Sequence, residues 1–548
     1  MYSSPVFKTS PHCIASPDGA LLAIAQPARL VVRDTRTLQV VHEIALAADV
    51  SAALFHVAWA PSSARLLVAA ADKLLVFSAR DATFKATVKN PASSSARPTH
   101  VQFGPTDAEV VVFSHFGLKL ALVNLAAAAA VEVTNPKFHQ PPATARCLSF
   151  RPGSNHLALL TRTNGKDSVS IHVPGSRAVE RAFHPDTVDA QGVVWASKGR
   201  WLVVWESAAH GHKVLMYTPD GHLFNTWTGP PDTGAEAQHF DLGAGVKHFH
   251  MDRLGMKAVI CDYTSALTIM DLSVGSQIMR LAHPATVIPT DTLQVWQEQQ
   301  PPADSPSTSV FLRATQPFFP PERTTTTTTT ITTAGPAQSC FLAEFDCASG
   351  LLATVTEAHR STLWIWDLNS ADLRSVLVFH SAISAIAWHP QIPELLLITC
   401  VPDASTTNAP TTSTTAAAVY TWDPLSKGPH TVPQPPPTKP TKPPVPAPKT
   451  RAAWVPAHTD PPLILLNDGT SGTLVAAIND ADTDADAPAA AAALWGGVDT
   501  QLSAKVLHGA AAAAWPKVLD PGDMSFAEDD GTVRVDDTFD FKKQKQKM

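Results

Sequence analysis

An all-β fold built from repeated units is predicted by three features of the sequence. Short apolar segments recur along the chain, and turns rich in Pro, Asp and Gly separate them. The segments fall into units of three or four strands that repeat about every 43 to 46 residues. The best preserved unit contains residues 363–368, a strand that reads Leu-Trp-Ile-Trp-Asp-Leu. Since no such unit can bury both of its faces alone, the units are predicted to stack into one array.

Nine units follow one another with the same order of strands and turns. The first unit starts at Cys13 and continues through a Pro-Asp-Gly turn into a second and a third strand. The later units start near His56, His100, Arg146, Gly192, Val246, Cys340, Ser384 and Arg451. We therefore predict blades 1–6 of a propeller over residues 1–283 and blades 7–9 over residues 340–480.

Four stretches interrupt or follow the repeats. Residues 284–339 are rich in Pro and Thr and are predicted to be a disordered insertion. Within the last three blades, residues 403–415 form a Thr-rich loop and residues 433–449 a Pro-rich loop that cannot join a sheet. Residues 481–548 are predicted to be an Ala- and Asp-rich tail, mostly disordered.

The array is expected to close into a ring, because an open array would leave unpaired strand edges at both ends. One large ring of eight to nine four-stranded blades fits the repeat count. A seven-bladed ring with a partial second ring is the alternative. Residues 5–9 precede the first unit and are placed to supply the missing outer strand of the last blade.

Composition argues against several classes of partner and location. The formal net charge is -7, which gives no electrostatic reason to expect nucleic acid or an anionic membrane surface. The six cysteines form no C-x-x-C pair, and the first residues lack a signal segment, so we expect a reduced intracellular protein. No window has enough apolar residues in a row for a membrane helix.

Catalytic and phosphate-binding motifs are missing from the sequence. It contains no G-x-x-x-x-G-K-[ST] loop, no G-x-S-x-G elbow and no H-E-x-x-H pair. Asp18, Asp220 and Asp252 stand in turns, where Asp is favoured for backbone reasons. We therefore predict a protein that is not an enzyme and uses no cofactor, metal or small-molecule substrate.

The tryptophans and histidines of the repeats are predicted to be structural. Trp59, Trp195 and Trp388 are expected to be core residues of first strands. The strongest WD repeats carry a hydrogen-bonded set of His, Asp, Ser or Thr, and Trp, and the candidates for its histidine are His184, His283 and His380. No unit has all four groups in register.

Several segments together resemble the spindle-pole and centrosomal WD-repeat family, most specifically residues 29–39 and 166–171. The resemblance implies a non-enzymatic scaffold in the cytoplasm and cytoskeleton, at the centrosome or spindle pole body, that holds microtubule minus ends. It implies a coiled-coil microtubule-anchoring protein as partner and, in fungi, a minus-end-directed kinesin. The Thr and Pro insertions, the alanine tracts and the tail depart from the family pattern.

Two questions stay open from the sequence. The count of nine units also suits a propeller of the translation-initiation-factor type, which would bind ribosomal subunits or RNA. Within the scaffold interpretation, partners are predicted to bind the ring faces or the rim near Trp205 and His283, which lie in or beside the family-like segments.

Overall fold

Nine sheets arranged as a closed ring, eight of them antiparallel and one with an added parallel strand pair, make up the computed structural model, which confirms the predicted propeller. The structure describes residues 1–81, 83–89, 97–114, 118–138, 140, 143–230, 245–299, 309–322, 339–401, 417–434, 450–456, 461–477 and 495. Each sheet is one blade. In a standard blade the strands lie side by side in chain order, and we name them A to D from the first strand outward.

Two short strands come before the first complete blade, and twelve strands then form blades 1–3. The leading strands are β1 (Tyr2–Ser3) and β2 (Phe7–Lys8). The strands of blades 1–3 are β3 (Cys13–Ala15), β4 (Leu21–Gln26), β5 (Arg29–Asp34) and β6 (Val40–Ala45), then β7 (Leu54–Trp59), β8 (Arg65–Ala70), β9 (Lys73–Ser78) and β10 (Lys85–Lys89), then β11 (His100–Phe103), β12 (Glu109–Phe113), β13 (Lys119–Asn124) and β14 (Ala129–Thr134).

Blades 4–6 repeat this arrangement with four strands each. Their strands are β15 (Leu148–Phe150), β16 (Leu157–Thr163), β17 (Lys166–His172) and β18 (Val179–Phe183), then β19 (Ala190–Ala196), β20 (Trp201–Glu206), β21 (Val214–Tyr217) and β22 (Leu223–Trp227), then β23 (His248–Met251), β24 (Lys257–Cys261), β25 (Ala266–Asp271) and β26 (Ser276–Ala282).

Blades 7–9 contain the departures from the four-stranded pattern. Their strands are β27 (Gln294–Gln299), β28 (Val310–Arg313), β29 (Cys340–Phe345), β30 (Leu351–Thr356), β31 (Thr362–Asp367) and β32 (Asp372–Val378), then β33 (Ala382–Trp388), β34 (Leu396–Val401), β35 (Ala418–Trp422) and β36 (His430–Thr431), then β37 (Arg451–Trp454), β38 (Leu463–Asn467) and β39 (Ser471–Ala476).

Helices are short and lie outside the blades. The described ones are an α-helix at Ala48–Ala53 and 3-10 helices at Ala143–Arg146, Ser197–Gly199 and Ala208–His210. Within the described ranges, no helix has both the length and the apolar character needed to cross a membrane.

Burial explains why the middle strands are apolar along their whole length. Every residue of β4 and β20 is buried, whereas four of the six residues of the outer strand β6 are exposed. A middle strand is covered on both faces by neighbouring blades, so apolar side chains on both faces are stabilised. The sequence shows this as continuous apolar runs instead of alternation.

Each of the nine hydrophobic clusters fills the space between two adjacent blades. Eight clusters join consecutive blades from the first to the ninth, and the remaining one joins the ninth blade to the first. The core is therefore a continuous ring of side chains between sheets. Burial of this kind contributes about 25 cal/mol for each Å² of apolar surface removed from water.

Closure of the ring uses the N-terminal residues, as predicted. Both β1 and β2 pair with β39, the third strand of blade 9: Tyr2 lies opposite Ala476, and Phe7 lies opposite Gly472. The Phe7 side chain is buried in the cluster between blades 9 and 1. The fourth strand of the last blade therefore comes from the other end of the sequence.

The prediction that residues 284–339 are disordered is wrong for two parts of that range. The strands β27 and β28 form a hairpin, and β27 runs parallel to β32, so blade 7 has six strands. Pairing between β27 and β32 joins residues distant in sequence, so no local turn pattern indicated it. Residues 300–308 and 323–338 of this range, like 403–415, 435–449 and the tail apart from Trp495, lie outside the described residues.

Candidate partner interface

The two faces of the ring differ in the length of the connections that they carry. Because the strands of a blade are antiparallel, the connections from strand B to C and from strand D to the next strand A emerge on one face, here called the connection face. The turns from A to B and from C to D lie on the other, here called the turn face. The longest connections run from β22 to β23, β26 to β29, β34 to β35 and β36 to β37, so all of them leave the connection face.

Hydrogen bonds between neighbouring A-to-B turns form a belt on the turn face. The Ser63 hydroxyl accepts from the amide of Asp18 at 3.0 Å, and the Ser349 hydroxyl donates to Asp252 at 2.6 Å. The amide of Ser197 donates to the carbonyl of Gly255 at 2.5 Å. Each bond joins two adjacent blades. The belt therefore fixes the turns relative to one another and gives this face a defined surface.

Tryptophans at the ends of A strands add a second set of bonds between blades. The indole of Trp59 donates to the carbonyl of Ile14 at 3.1 Å, that of Trp388 to Glu344 at 2.8 Å and that of Trp454 to Ala387 at 2.9 Å. Trp195 and Trp388 are buried, which confirms them as core residues, and Trp59 is half-buried. These side chains are therefore structural.

An exposed basic and apolar surface lies on the turn face where blades 5 and 6 meet. We call it the blade 5–6 patch, and it consists of Lys198, Arg200, Leu223, Phe224, Arg253, Leu254 and Val274. The four apolar side chains are between 49% and 55% exposed, a large value for such residues. The three cations form no ion pair with another described residue, although Arg253 donates to the carbonyl of Pro390.

The apolar part of the patch is held in place by aromatic stacking. The rings of Trp201 and Phe224 are stacked with centroids 4.0 Å apart, and the guanidinium of Arg200 lies 5.1 Å from the Trp201 ring. The Trp201 indole donates to the carbonyl of Ser273 in the next blade at 3.1 Å. Phe224 therefore projects from a fixed support next to Val274, and Arg200 lies on the ring that carries it.

Carboxylates close to the patch are engaged with other groups. Asp252 is buried and accepts the hydroxyl of Ser349, while Asp271 accepts the amide and hydroxyl of Ser273 at 2.7 and 2.6 Å. Asp220 is exposed and pairs with His222 at 3.4 Å. The patch therefore has a net positive character on a chain whose formal charge is -7.

His283, predicted as a partner-binding residue, is engaged within the ring. Its Nδ1 contacts the carbonyl of Ser265 at 2.6 Å, and its Nε2 contacts the hydroxyl of Thr354 at 2.9 Å. That hydroxyl accepts the indole of Trp366 at 3.0 Å. Burial lowers the pKa of His283 to about 4. Three members of the hydrogen-bonded set expected of a WD repeat thus come together in blade 7.

Trp205, the other predicted partner-binding residue, lies in the core between blades 5 and 6. Its side chain is 6% exposed, and its ring stacks on Phe249 with centroids 4.6 Å apart. A Cβ atom on Gly192 would come within 2.2 Å of the Trp205 ring, so only glycine fits there. With so little exposed surface, Trp205 can affect a partner chiefly by supporting the neighbouring surface.

A buried ionic network joins blades 3, 4 and 5 near the connection face, and sequence reasoning missed it. The ammonium of Lys137 lies 2.9 Å from Asp167 and 2.8 Å from Asp189, and Arg162 lies 2.6 Å from Asp189. The Asp167 side chain is fully buried and also accepts the amide of Ala190 at 2.6 Å. Burial acts to raise the pKa of Asp189, but Lys137 and Arg162 outweigh it and lower that pKa.

The network overlaps one of the family-like segments. Asp167 belongs to residues 166–171, so an acidic residue at the start of a middle strand was the available signal. His184, a candidate for the WD-repeat set, contacts the carbonyl of Asp167 at 2.8 Å through Nδ1. The amide of His380 donates to Glu298 at 2.8 Å.

The described part of the chain holds no cluster of groups suited to bind a metal ion. No three His, Cys, Asp or Glu side chains there are placed to hold a metal ion. All six cysteines are free thiols, and burial raises the pKa of Cys13 to about 11 and that of Cys147 to about 12. Such thiols are poor nucleophiles at neutral pH.

Among solved structures, the chain is similar to other propellers. The likeness to a eukaryotic initiation factor has a TM-score of 0.47 with 11% identity and covers 78% of this chain and 88% of that one. The likeness to the C-terminal WD40 domain of Sif2 has a TM-score of 0.41 with 7% identity and covers 72% of this chain and 94% of that one.

Two curated proteins are similar in sequence, while no family model matches the chain. The chain is 24% identical over 404 residues to WD repeat-containing protein WRAP73 of Mus musculus, a match that covers 71% of this chain and 82% of that protein. It is also 24% identical over 264 residues to an uncharacterized WD repeat-containing protein of Schizosaccharomyces pombe, of which it spans 50%. By these two matches the chain is similar to WRAP73 and to a second WD repeat-containing protein.

Proposed function

We propose that this protein is a scaffold at the spindle pole or centrosome that bridges anchoring proteins and holds microtubule minus ends. WD-repeat propeller relatives support the broader role of a non-enzymatic scaffold. The location and the microtubule role rest on the resemblance of residues 29–39 and 166–171 to the spindle-pole family. The match to WRAP73 over 404 residues is the observation that carries the proposal.

The ring is suited to holding two partners at once. Its turn face presents the blade 5–6 patch on a surface fixed by bonds between blades, whereas its connection face carries the long segments. Partners on opposite faces would not compete for the same residues. We propose a coiled-coil microtubule-anchoring protein and a minus-end-directed kinesin as the partners that the ring brings together.

Location in dividing cells tests the proposal most directly. A fluorescent protein is fused after Met548, because the other end of the chain pairs with β39 and a fusion there would disturb closure. We expect sharp foci at the spindle poles, together with co-purification of a coiled-coil protein. A diffuse signal with sedimentation alongside ribosomal subunits would contradict the proposal and favour the translation alternative.

A further inference from the structure

Apart from the bond from Arg253 to the carbonyl of Pro390 in blade 8, the exposed side chains of the blade 5–6 patch contact no charged group among the described residues, and their chemistry defines what would bind them. Three exposed cations share this part of the face with four exposed apolar side chains, of which Phe224 rests on the Trp201 ring. A complementary ligand combines carboxylates with aromatic or aliphatic side chains over a short length. Charge and apolar contact then act together, since exposed ion pairs alone contribute little to binding.

One segment of this chain has that composition. Residues 523–541 contain seven acidic residues and one base, Arg534. Apolar residues alternate with the acids: Met524, Phe526, Val533, Val535, Phe539 and Phe541. The acidic run of residues 480–486 also carries four Asp, but its other residues are Ala and Thr. Only the first of these segments matches both parts of the patch.

Trp495 shows that the tail reaches the turn face. Its side chain is 7% exposed and packs in the cluster between blades 9 and 1 with Leu38. Its indole donates to the carbonyl of Thr35 at 3.4 Å. Thr35 and Leu38 lie in the C-to-D turn of blade 1, which belongs to the turn face. Trp495, 28 positions before residue 523, therefore lies against the face that carries the patch.

The distance from Trp495 to the patch is within reach of the chain. About 28 residues separate Trp495 from residue 523, and such a length spans about 90 Å when extended. A compact fold of roughly 450 residues has a radius of gyration of about 22 Å, so its diameter is smaller than that span.

We propose that residues 523–541 bind the blade 5–6 patch of the same molecule. The carboxylates of the segment pair with Lys198, Arg200 and Arg253, and its Phe and Val side chains cover the exposed apolar residues. The bound segment blocks the patch until a partner with similar chemistry displaces it. This inference is independent of the spindle-pole proposal, because it concerns contacts within one chain.

Cross-linking of the full-length protein tests this contact. Lys198 lies in the patch, and Lys542 and Lys543 directly follow the segment, so an amine-reactive cross-linker can join them. We expect these links to exceed those from Lys542 and Lys543 to Lys427 on the turn face of blade 8 or to Lys119 on blade 3. Equal yields at all of these lysines would overturn the proposal.

A mixture of isotopically light and heavy protein separates links within one chain from links between two chains. Binding in the same molecule predicts links between peptides of one label only. Mixed labels in the Lys198 links would mean that a second copy supplies the segment, and this result would also overturn the proposal.

Charge variants give matched controls for both sides of the contact. We expect R200E/R253E to lower the yield of the Lys198 links about fivefold or more, and K85E/K427E, on other blades of the same face, to leave it unchanged. The tail variant D529N/D530N/D536N/D537N should lower it similarly, whereas D480N/D482N/D484N/D486N should not. Because the tail variants leave the ring intact, they decide the question even if R200E/R253E fails to fold. Equal effects of both tail variants would contradict the specific contact.

Discussion

Single side chains in this ring act mainly by satisfying buried polar groups between blades. His283 contacts one hydroxyl and one carbonyl, and Asp167 compensates the charge of Lys137 while it accepts a backbone amide. Loss of one partner would leave the other buried without compensation, which costs more than the bond itself contributes. Substitution of such residues is therefore expected to lower the stability of the fold, and to affect partner binding only through that loss.

The free energy of unfolding should fall as the pH is lowered, and part of this fall should depend on His283. Its pKa is about 4 in the folded chain and about 6.5 when unfolded, so the unfolded state binds more protons between these values. The contribution is fully present above pH 6.5 and is lost as the pH falls toward 4, by about 3 kcal/mol at most. Chemical denaturation at several pH values should show a smaller loss over this window for H283N than for the unsubstituted protein. The exposed H222N serves as control, and an identical loss in H283N and the unsubstituted protein would contradict the assignment.

Removal of the buried carboxylate should weaken the ring far more than removal of an exposed one. We expect D167A to lower the free energy of unfolding by about 3 to 5 kcal/mol, because Lys137 is then buried with less compensation. D186A removes an exposed carboxylate paired with Lys213 at 2.8 Å, and its effect should stay below about 1 kcal/mol. Denaturant titration of both variants measures the difference. Equal effects would mean that the network contributes little.

At the level of elements, the hairpin of β27 and β28 is an addition that ties blade 7 to blade 8. Glu298 of β27 accepts the Tyr420 hydroxyl at 2.7 Å and the amide of His380 at 2.8 Å. Phe311 of β28 packs edge-on against Phe379 and Tyr420. Burial and the adjacent Glu298 raise the pKa of Tyr420, so its hydroxyl remains a donor.

The hairpin contact is testable by removing one hydroxyl. We expect Y420F to destabilise the protein by about 1 to 3 kcal/mol, since Glu298 stays buried and keeps, among the described residues, one donor, the amide of His380. Hydrogen exchange at β27 and β28 should increase in Y420F, while exchange in blade 2 should not change. Unchanged exchange in the hairpin would show that its packing alone holds it.

The blades could be predicted from the sequence because each one is specified by residues that lie close together in the chain. Short strands, Pro-Asp-Gly turns and a constant spacing indicated each unit, and the strand at residues 363–368 is now β31 of blade 7 with its Trp364 fully buried. The hairpin was missed because its partner strand lies far along the chain. The blade 5–6 patch was missed because its residues come from separate turns and strand ends of two blades and share one face only in the folded ring.

At the scale of the whole molecule, stability depends on closure. The cluster between blades 9 and 1 combines residues from both ends of the ring, and Phe7 fills part of it. The amide of Ser4 donates to the carbonyl of Leu474 at 2.8 Å, which fixes the position of the N-terminal strands. Without this closure, blades 1 and 9 would both expose apolar faces.

Removal of the buried Phe7 side chain should therefore destabilise the protein more than removal of its exposed neighbour Val6. We expect F7A to lower the free energy of unfolding by about 3 to 5 kcal/mol, whereas V6A, whose side chain is 56% exposed, should change it by less than about 0.5 kcal/mol. Thermal unfolding of both variants measures this. If the two variants behaved alike, the N-terminal strands would not contribute to closure.

Closure by the N-terminus also sets the order in which the protein can be completed during synthesis. The hydroxyl of Ser4 accepts from the amide of Leu474, a contact across 470 positions of the chain. A ribosome must therefore translate almost the entire ring before the N-terminal residues can pair with β39. Until then, the nascent chain carries an unpaired strand edge and an uncovered apolar face, which are the features that chaperones bind and that promote aggregation. A translation product that stops before residue 471 lacks the strand that receives the N-terminus, so the final step of folding distinguishes finished rings from incomplete ones.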